Sequence, residues 1–213
     1  MLGGAKILRI GYGAVNPDSA PHVAIEPDAA RPLRLWDGPY PFAEPPDLTR
    51  LITLSERLDF LKQHLQSLCG VWAKPPRAFL DAYFAWIAAT LAANRAAIEP
   101  LAGAGLFAAE DWSFAAFRPL PSAHLPAGGS LIRADIAFWT GQGFVALELL
   151  GGDTVRAARR RELDALRRAG IAVVEMPPGD LTPLPESLTH FWRDVRLPKS
   201  PFGPRDLAIE PAR

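Results

Sequence analysis

The stretch that most constrains this chain runs from residue 131 to residue 150, where two alternating runs, LIRADIAFW and FVALELL, flank the connection TGQG. Period-two alternation rich in β-branched and aromatic residues predicts strands, and a short glycine-bearing link between two such runs predicts an antiparallel hairpin. A hairpin closed symmetrically across TGQG sets Trp139 against Phe144 and therefore Asp135 against Glu148. One face of that ladder carries Ile132, Ala134, Ile136, Phe138, Val145, Leu147 and Leu149, all apolar and expected in the core. The other carries Arg133, Asp135 and Glu148, with the small residues Ala137 and Ala146 leaving room beside the carboxylates.

The flanking sequence supplies the frame. Leu48, Leu51, Ile52, Leu58, Leu61, Leu65 and Leu68 recur at helical spacing up to Gly70 and predict an amphipathic helix. Pro75 and Pro76 suit the first turn of a second helix, over 77–98, which is apolar nearly all round. WSFAAFRPL (112–120) is expected as a strand, residues 153–169 as a helix capped by Asp153 or Thr154, and IAVVEM (171–176) as a strand. The expected order from the second helix on is αβββαβ. Residues 1–46 hold eight prolines among short β-like runs, AKILRI, HVAI and PLRLW, and predict an irregular β meander. Three regions follow: a β and helical extension over 1–70, an α/β core over 71–176 with a mixed sheet flanked by helices, and a proline-rich extension over 177–213 with one short helix near 184–195.

Directly opposed residues of an antiparallel ladder have Cβ atoms about 4.5–5.5 Å apart, and like charges there repel unless something compensates. A divalent cation compensates. Two oxygen ligands with open positions suit Mg2+ or Mn2+, which keep waters and take phosphate oxygens, better than zinc. The plain alternative is a pair of solvated carboxylates on the outer face of a hairpin. Downstream, six arginines (Arg156, Arg159, Arg160, Arg161, Arg167, Arg168) fall within the predicted helix, whose apolar arc is Val155, Ala158, Leu163, Leu166 and Ala169. Glu162 falls inside that arc, where it would act as an extra metal ligand or pair with Arg159 three residues earlier. Arg156, Arg160 and Arg167 are the candidates for phosphate contacts, unless the helix is simply basic and solvated.

On these residues the chain resembles the PD-(D/E)XK nuclease superfamily, and within it the very-short-patch-repair-like endonucleases. The matching pieces are ADIAFW (134–139), ALELLGG (146–152), RAARRRELDALRRAG (156–170) and IAVVEM (171–176). The resemblance implies a restriction-endonuclease-like αβββαβ core and phosphodiester hydrolysis with Mg2+ or Mn2+ held by Asp135 and Glu148. It also implies a nucleic-acid partner, with DNA favoured. One slot departs from the pattern: Leu150 stands where the superfamily has lysine and the repair-like group aspartate. In the hairpin register Arg133 lies opposite Leu150, so Arg133 is a candidate substitute cation; arginine stabilises phosphate charge but is no general base at neutral pH. The resemblance therefore carries two outcomes, an active nuclease or an inactive nuclease-fold protein that binds nucleic acid or a protein partner.

Composition closes off other classes. A 49% apolar and 22% charged chain lies in the globular range, and no run of 18 apolar residues exists to span a bilayer, so no membrane role is expected. The N-terminus has no secretion signal, which makes the cytoplasm the expected location. Cys69 is the single cysteine, which excludes an intrachain disulfide and the two-cysteine zinc and redox motifs. Formal net charge is zero, so any nucleic-acid footprint must be local. Glu99 and Glu110 are the upstream acids available to the site, while the four histidines lack metal-site spacing and the six tryptophans are expected in cores. A homodimer or protein contact through the N-terminal segment is a further expectation.

Overall fold

Eight-residue β3 (Leu120–Ala127) carries Pro121 and Pro126 and lies at the edge of a four-stranded sheet, where a missing backbone N–H costs least. The sheet belongs to a computed structural model that describes residues 7–14, 20–37, 54–70, 73–102, 109–149 and 157–191. Upstream come a two-stranded antiparallel ribbon, β1 (Leu8–Gly11) and β2 (His22–Ile25), and three helices, α1 (Leu54–Ser67), α2 (Lys74–Ala93) and α3 (Arg95–Ala102). After β3 follow β4 (Ser130–Trp139), β5 (Phe144–Glu148), α4 (Ala157–Arg168), β6 (Ala172–Glu175) and α5 (Glu186–Thr189). Sheet order is β3-β4-β5-β6; the first three strands are antiparallel neighbours and β6 runs parallel to β5. The chain is thus a mixed α/β fold. Among the described residues no helix is long and apolar enough to cross a membrane.

Local chemistry explains the boundaries. Prolines occupy the first turn of α2, where helix N–H groups have no partner to lose, and the helix stops at Asn94, whose side-chain amide donates to the Thr90 carbonyl at 2.7 Å. The expected single helix over 77–98 is therefore two. The β3–β4 hairpin turns on Gly128 and Gly129 at φ +57° and +81°, as a two-residue turn with two left-handed positions requires. Gly141, at φ +89°, packs so closely that a Cβ there would lie 2.5 Å from the Ala30 carbonyl oxygen.

Two expectations are corrected. Residues 112–120 are not a strand: Ala109–Ala115 form a 3-10 helix and the first strand of the sheet begins at Leu120. Trp112, Ala115, Ala116 and Phe117 are buried against the helices, so their apolar run reflects a packed connection and not a pleat, while the prolines of β3 hid the true strand. The PLRLW run makes only a single bridge, Arg34 to Phe117. Its Arg34 is 4% exposed and donates to the carbonyls of Ala115 and Phe191, while buried Arg118 donates to the Asp37 carbonyl at 2.6 Å and the Tyr12 hydroxyl at 3.1 Å. These guanidiniums tie the N-terminal segment to the core.

Both sheet faces are covered. Ile136, Phe138, Val145, Leu147 and Leu149 pack with Phe79, Leu80 and Tyr83 of α2 and Leu61 and Leu65 of α1. Ala137, Trp139, Phe144 and Ala146 pack with Leu163 and Leu166 of α4 and with Ile10 and Tyr12 near the ribbon. The expectation that Ile132 and Ala134 share the face of Ile136 fails: both belong with Ala137, on the α4 side. The alternation changes phase at Asp135. Neither Asp135 nor Ser122, opposite it by the flanking register, is paired in the ladder, and Ser122 has φ +49°, an interruption that lets the strand ends rotate.

Candidate functional site

The hairpin register is the one expected from sequence: Trp139 faces Phe144, Phe138 faces Val145, Ala137 faces Ala146 and Ile136 faces Leu147. Continued by one residue, it brings Asp135 opposite Glu148. Glu148 sits beneath α4, in surroundings that differ sharply from an open outer face. Glu148 is only 4% exposed. Asp135 is half-buried, and its Oδ2 accepts the Leu149 N–H at 2.9 Å.

Arg159 of α4 closes over Glu148 as a two-pronged fork. Its Nε donates to Glu148 Oε1 at 2.8 Å and an Nη donates to Oε2, while the other Nη donates to Glu162 Oε2 at 2.7 Å. Planar bidentate guanidinium–carboxylate contacts are among the strongest a protein makes. Burial pushes the Glu148 carboxyl above its ordinary range; the Arg159 hydrogen bonds work against that shift, and the Asp135 charge adds to it. Burial works to lower the Arg159 guanidinium, but Glu148 and Glu162 hold its proton on still more firmly than usual. Asp135 also reaches Cys69 of the α1 end: burial, moderated by Arg77 and reinforced by Asp135, pushes that thiol up to about 12.

A second clamp lies alongside. β5 and β6 set Glu148 beside Glu175, and Arg167 of α4 donates to Glu175 at 2.6 Å and to Asp164 at 3.1 Å. Two guanidiniums of one helix thus match two neighbouring glutamates of the sheet. Arg133 is exposed on β4, and its charge is felt at Glu148.

A divalent cation does not fit these residues as they stand. Both Glu148 oxygens are engaged by Arg159, Asp135 Oδ2 is engaged by a backbone N–H, and Glu162 binds the same guanidinium. No group of three His, Cys, Asp or Glu side chains that could hold a metal occurs among the described residues. Of the predicted phosphate-contacting arginines, Arg160 is exposed, Arg167 is spent on Glu175 and Asp164, and Arg156 lies outside the described residues, as do Leu150 and the expected cap at Asp153 or Thr154. The side chains of Glu99 and Glu110 are likewise outside what is described.

Sequence reasoning missed two things. The Arg159–Glu162 pair was legible from its spacing, but the bond to Glu148 was not, because it joins a helix to a strand across a crossover. The other is the exposed pair Arg161 and Arg168, which has no carboxylate partner among the described residues, whereas the sequence points to Arg160 and Arg167. Seven-residue spacing, which puts both on one helical face, was the available signal. No protein-family model matches the chain, and no curated protein or solved structure matches it.

Proposed function

We propose that this chain is a nuclease-like α/β domain that acts by binding and does not hydrolyse phosphodiesters. One observation carries the reading: the Arg159 fork occupies both oxygens of Glu148, the carboxylate that the resemblance would give to a metal. Two features support the nuclease-like frame. The order helix, three antiparallel strands, helix, parallel strand is the one the resemblance implies, and the register brings the two acids together. Leu150 adds to the case, since an aliphatic side chain in the lysine slot neither orients water nor neutralises a phosphate.

Binding then falls to α4 and its surroundings, where Arg160, Arg161 and Arg168 make no ion pair to a carboxylate among the described residues. Nucleic acid is the ligand the resemblance points to. A second reading, hydrolysis with Mg2+ or Mn2+ at Asp135 and Glu148 and Arg133 as substitute cation, draws on the same register and requires Arg159 to leave Glu148.

The test is direct. Purified protein incubated with single- and double-stranded DNA and RNA, with Mg2+ or Mn2+, should leave every substrate intact, and Leu150→Lys should not restore cleavage while Arg159 remains. Cleavage by the wild type that disappears in Glu148→Ala would overturn the binding reading and establish the second one.

A further inference from the structure

Beside the paired side of α4 lies a groove of about 590 Å3, bounded on one side by Arg161, Arg168 and Ala165 and on the other by the β3–β4 hairpin with Gly128, Ser130 and Leu131. Neither guanidinium has a carboxylate partner among the described residues; Arg168 spends only its Nε, at 3.3 Å, on the Asp164 carbonyl. Glu162 also borders the groove and shares the single charge of Arg159 with Glu148, so it offsets one of the two arginines and leaves one positive charge in excess along the lining. The groove is therefore electropositive. Its apolar component is Leu131, 63% exposed at the start of β4, beside the buried Ala127 and Ile132.

We infer that this groove binds an acidic peptide segment of a protein partner, with carboxylates on Arg161 and Arg168 and an apolar side chain against Leu131 and Ala165. Seven helical residues rise about 10 Å, the span of about three residues of extended chain, so two acids three positions apart with an apolar residue between them match the two guanidiniums. Arginine forks recognise carboxylates with geometric precision, and the exposed Leu131 adds apolar area that a peptide side chain can cover. Charge complementarity alone would also admit a nucleic-acid strand. The lining argues for peptide, because no aromatic side chain among the described residues borders the groove, and single-strand binding draws much of its energy from stacking bases on aromatic platforms. The inference rests on the reading of the chain as a binding domain and names its partner.

The experiment uses the full chain and two probes: a displayed library of random twelve-residue peptides, and a fluorescent twenty-nucleotide DNA in single- and double-stranded form. Peptides enriched on the wild type should carry two acidic residues around an apolar one. Their affinity, measured by fluorescence anisotropy, should fall about tenfold for Arg161→Ala or Arg168→Ala and further for the double variant, as expected when a charged hydrogen bond is removed. Leu131→Asp should weaken binding comparably, with the thermal midpoints of all variants close to wild type. Absence of enrichment, enrichment without acidic residues, or affinities indifferent to both arginines would overturn the proposal. So would DNA that binds more tightly than any selected peptide through the same arginines, which would reassign the groove to nucleic acid. A nuclease activity found in the cleavage assay would defeat the binding reading yet leave these measurements intact, so the two failures are separable.

Discussion

Arg159 and Arg161 stand two residues apart on α4, yet the fold gives them opposite circumstances. Arg159 lies over the sheet, forked onto a carboxylate that is 4% exposed, while Arg161 is exposed, borders a groove and has no carboxylate partner among the described residues. The same contrast repeats about two turns later: Arg167 is held by Glu175 and Asp164, and Arg168 borders the groove. Composition treats these arginines as one basic run. Their energetic roles are set instead by which helical face meets β5 and β6, so that some neutralise buried acid and others remain available to a partner.

The largest effect that could break this comparison comes from truncating the buried cation. Arg159→Ala leaves Glu148 enclosed without its fork, to stay charged or take up a proton, and removing one partner of a buried ion pair costs about 3–5 kcal/mol; Arg159 retains some exposure, so about 3 kcal/mol is expected by urea unfolding. Arg161→Ala should leave the unfolding midpoint unmoved. Equal destabilisation in the two variants would erase the distinction between paired and unpaired arginines. Replacing both Glu148 and Arg159 by apolar residues of similar volume should recover most of the stability, because desolvating two charges consumes much of what their attraction returns.

A smaller effect sharpens the unpaired side. Nucleic-acid binding along α4 predicts that replacing Arg160, Arg161 and Arg168 by alanine lowers the slope of log affinity against log salt by about one for each phosphate no longer neutralised. Replacing Arg167, already committed to Glu175, should change that slope little. A slope that responds to Arg167 as strongly as to Arg161 would show that the ion pairs do not hold in solution.

Acidity offers a third test. Burial raises the Glu148 pKa in the folded state above its ordinary value of 4.5, so the folded protein binds this proton more tightly than the unfolded chain does. Stability contributed by that proton is complete below pH 4.5 and is lost as pH rises through the folded value. Thermal midpoints of wild type against Glu148→Gln should therefore diverge as pH climbs from 4.5, with the wild type losing ground; parallel profiles would remove the linkage. The smallest expected signal is chemical: with its thiol pushed up to about 12 and its side chain 2% exposed, Cys69 should resist iodoacetamide at pH 8 until the protein is unfolded.

Much of this architecture was legible along the chain, and the physical reason is that alternation and helical spacing are local. The hairpin register could be read from the symmetry of TGQG, and with it the approach of Asp135 to Glu148; the strands Ser130–Trp139 and Ala172–Glu175 and the helix Ala157–Arg168 fell where their periods placed them. Local pattern misled where backbone need was met non-locally. The proline-bearing β3 is a strand because it lies at a sheet edge, and the run at 112–120 is apolar because it is wedged under helices.

What only tertiary structure decided was the meaning of the charges. Sequence put two acids together and six arginines nearby, an arrangement equally suited to a metal, a phosphate backbone or an internal ion pair. The crossover from β5 through α4 to parallel β6 settled the pairing, because it lays one face of α4 over Glu148 and Glu175 and turns another toward the β3–β4 hairpin. A residue's period along a helix tells which neighbours share its face. What that face meets is a property of packing between elements far apart in sequence, and in this chain that packing separates the paired arginines from the unpaired ones.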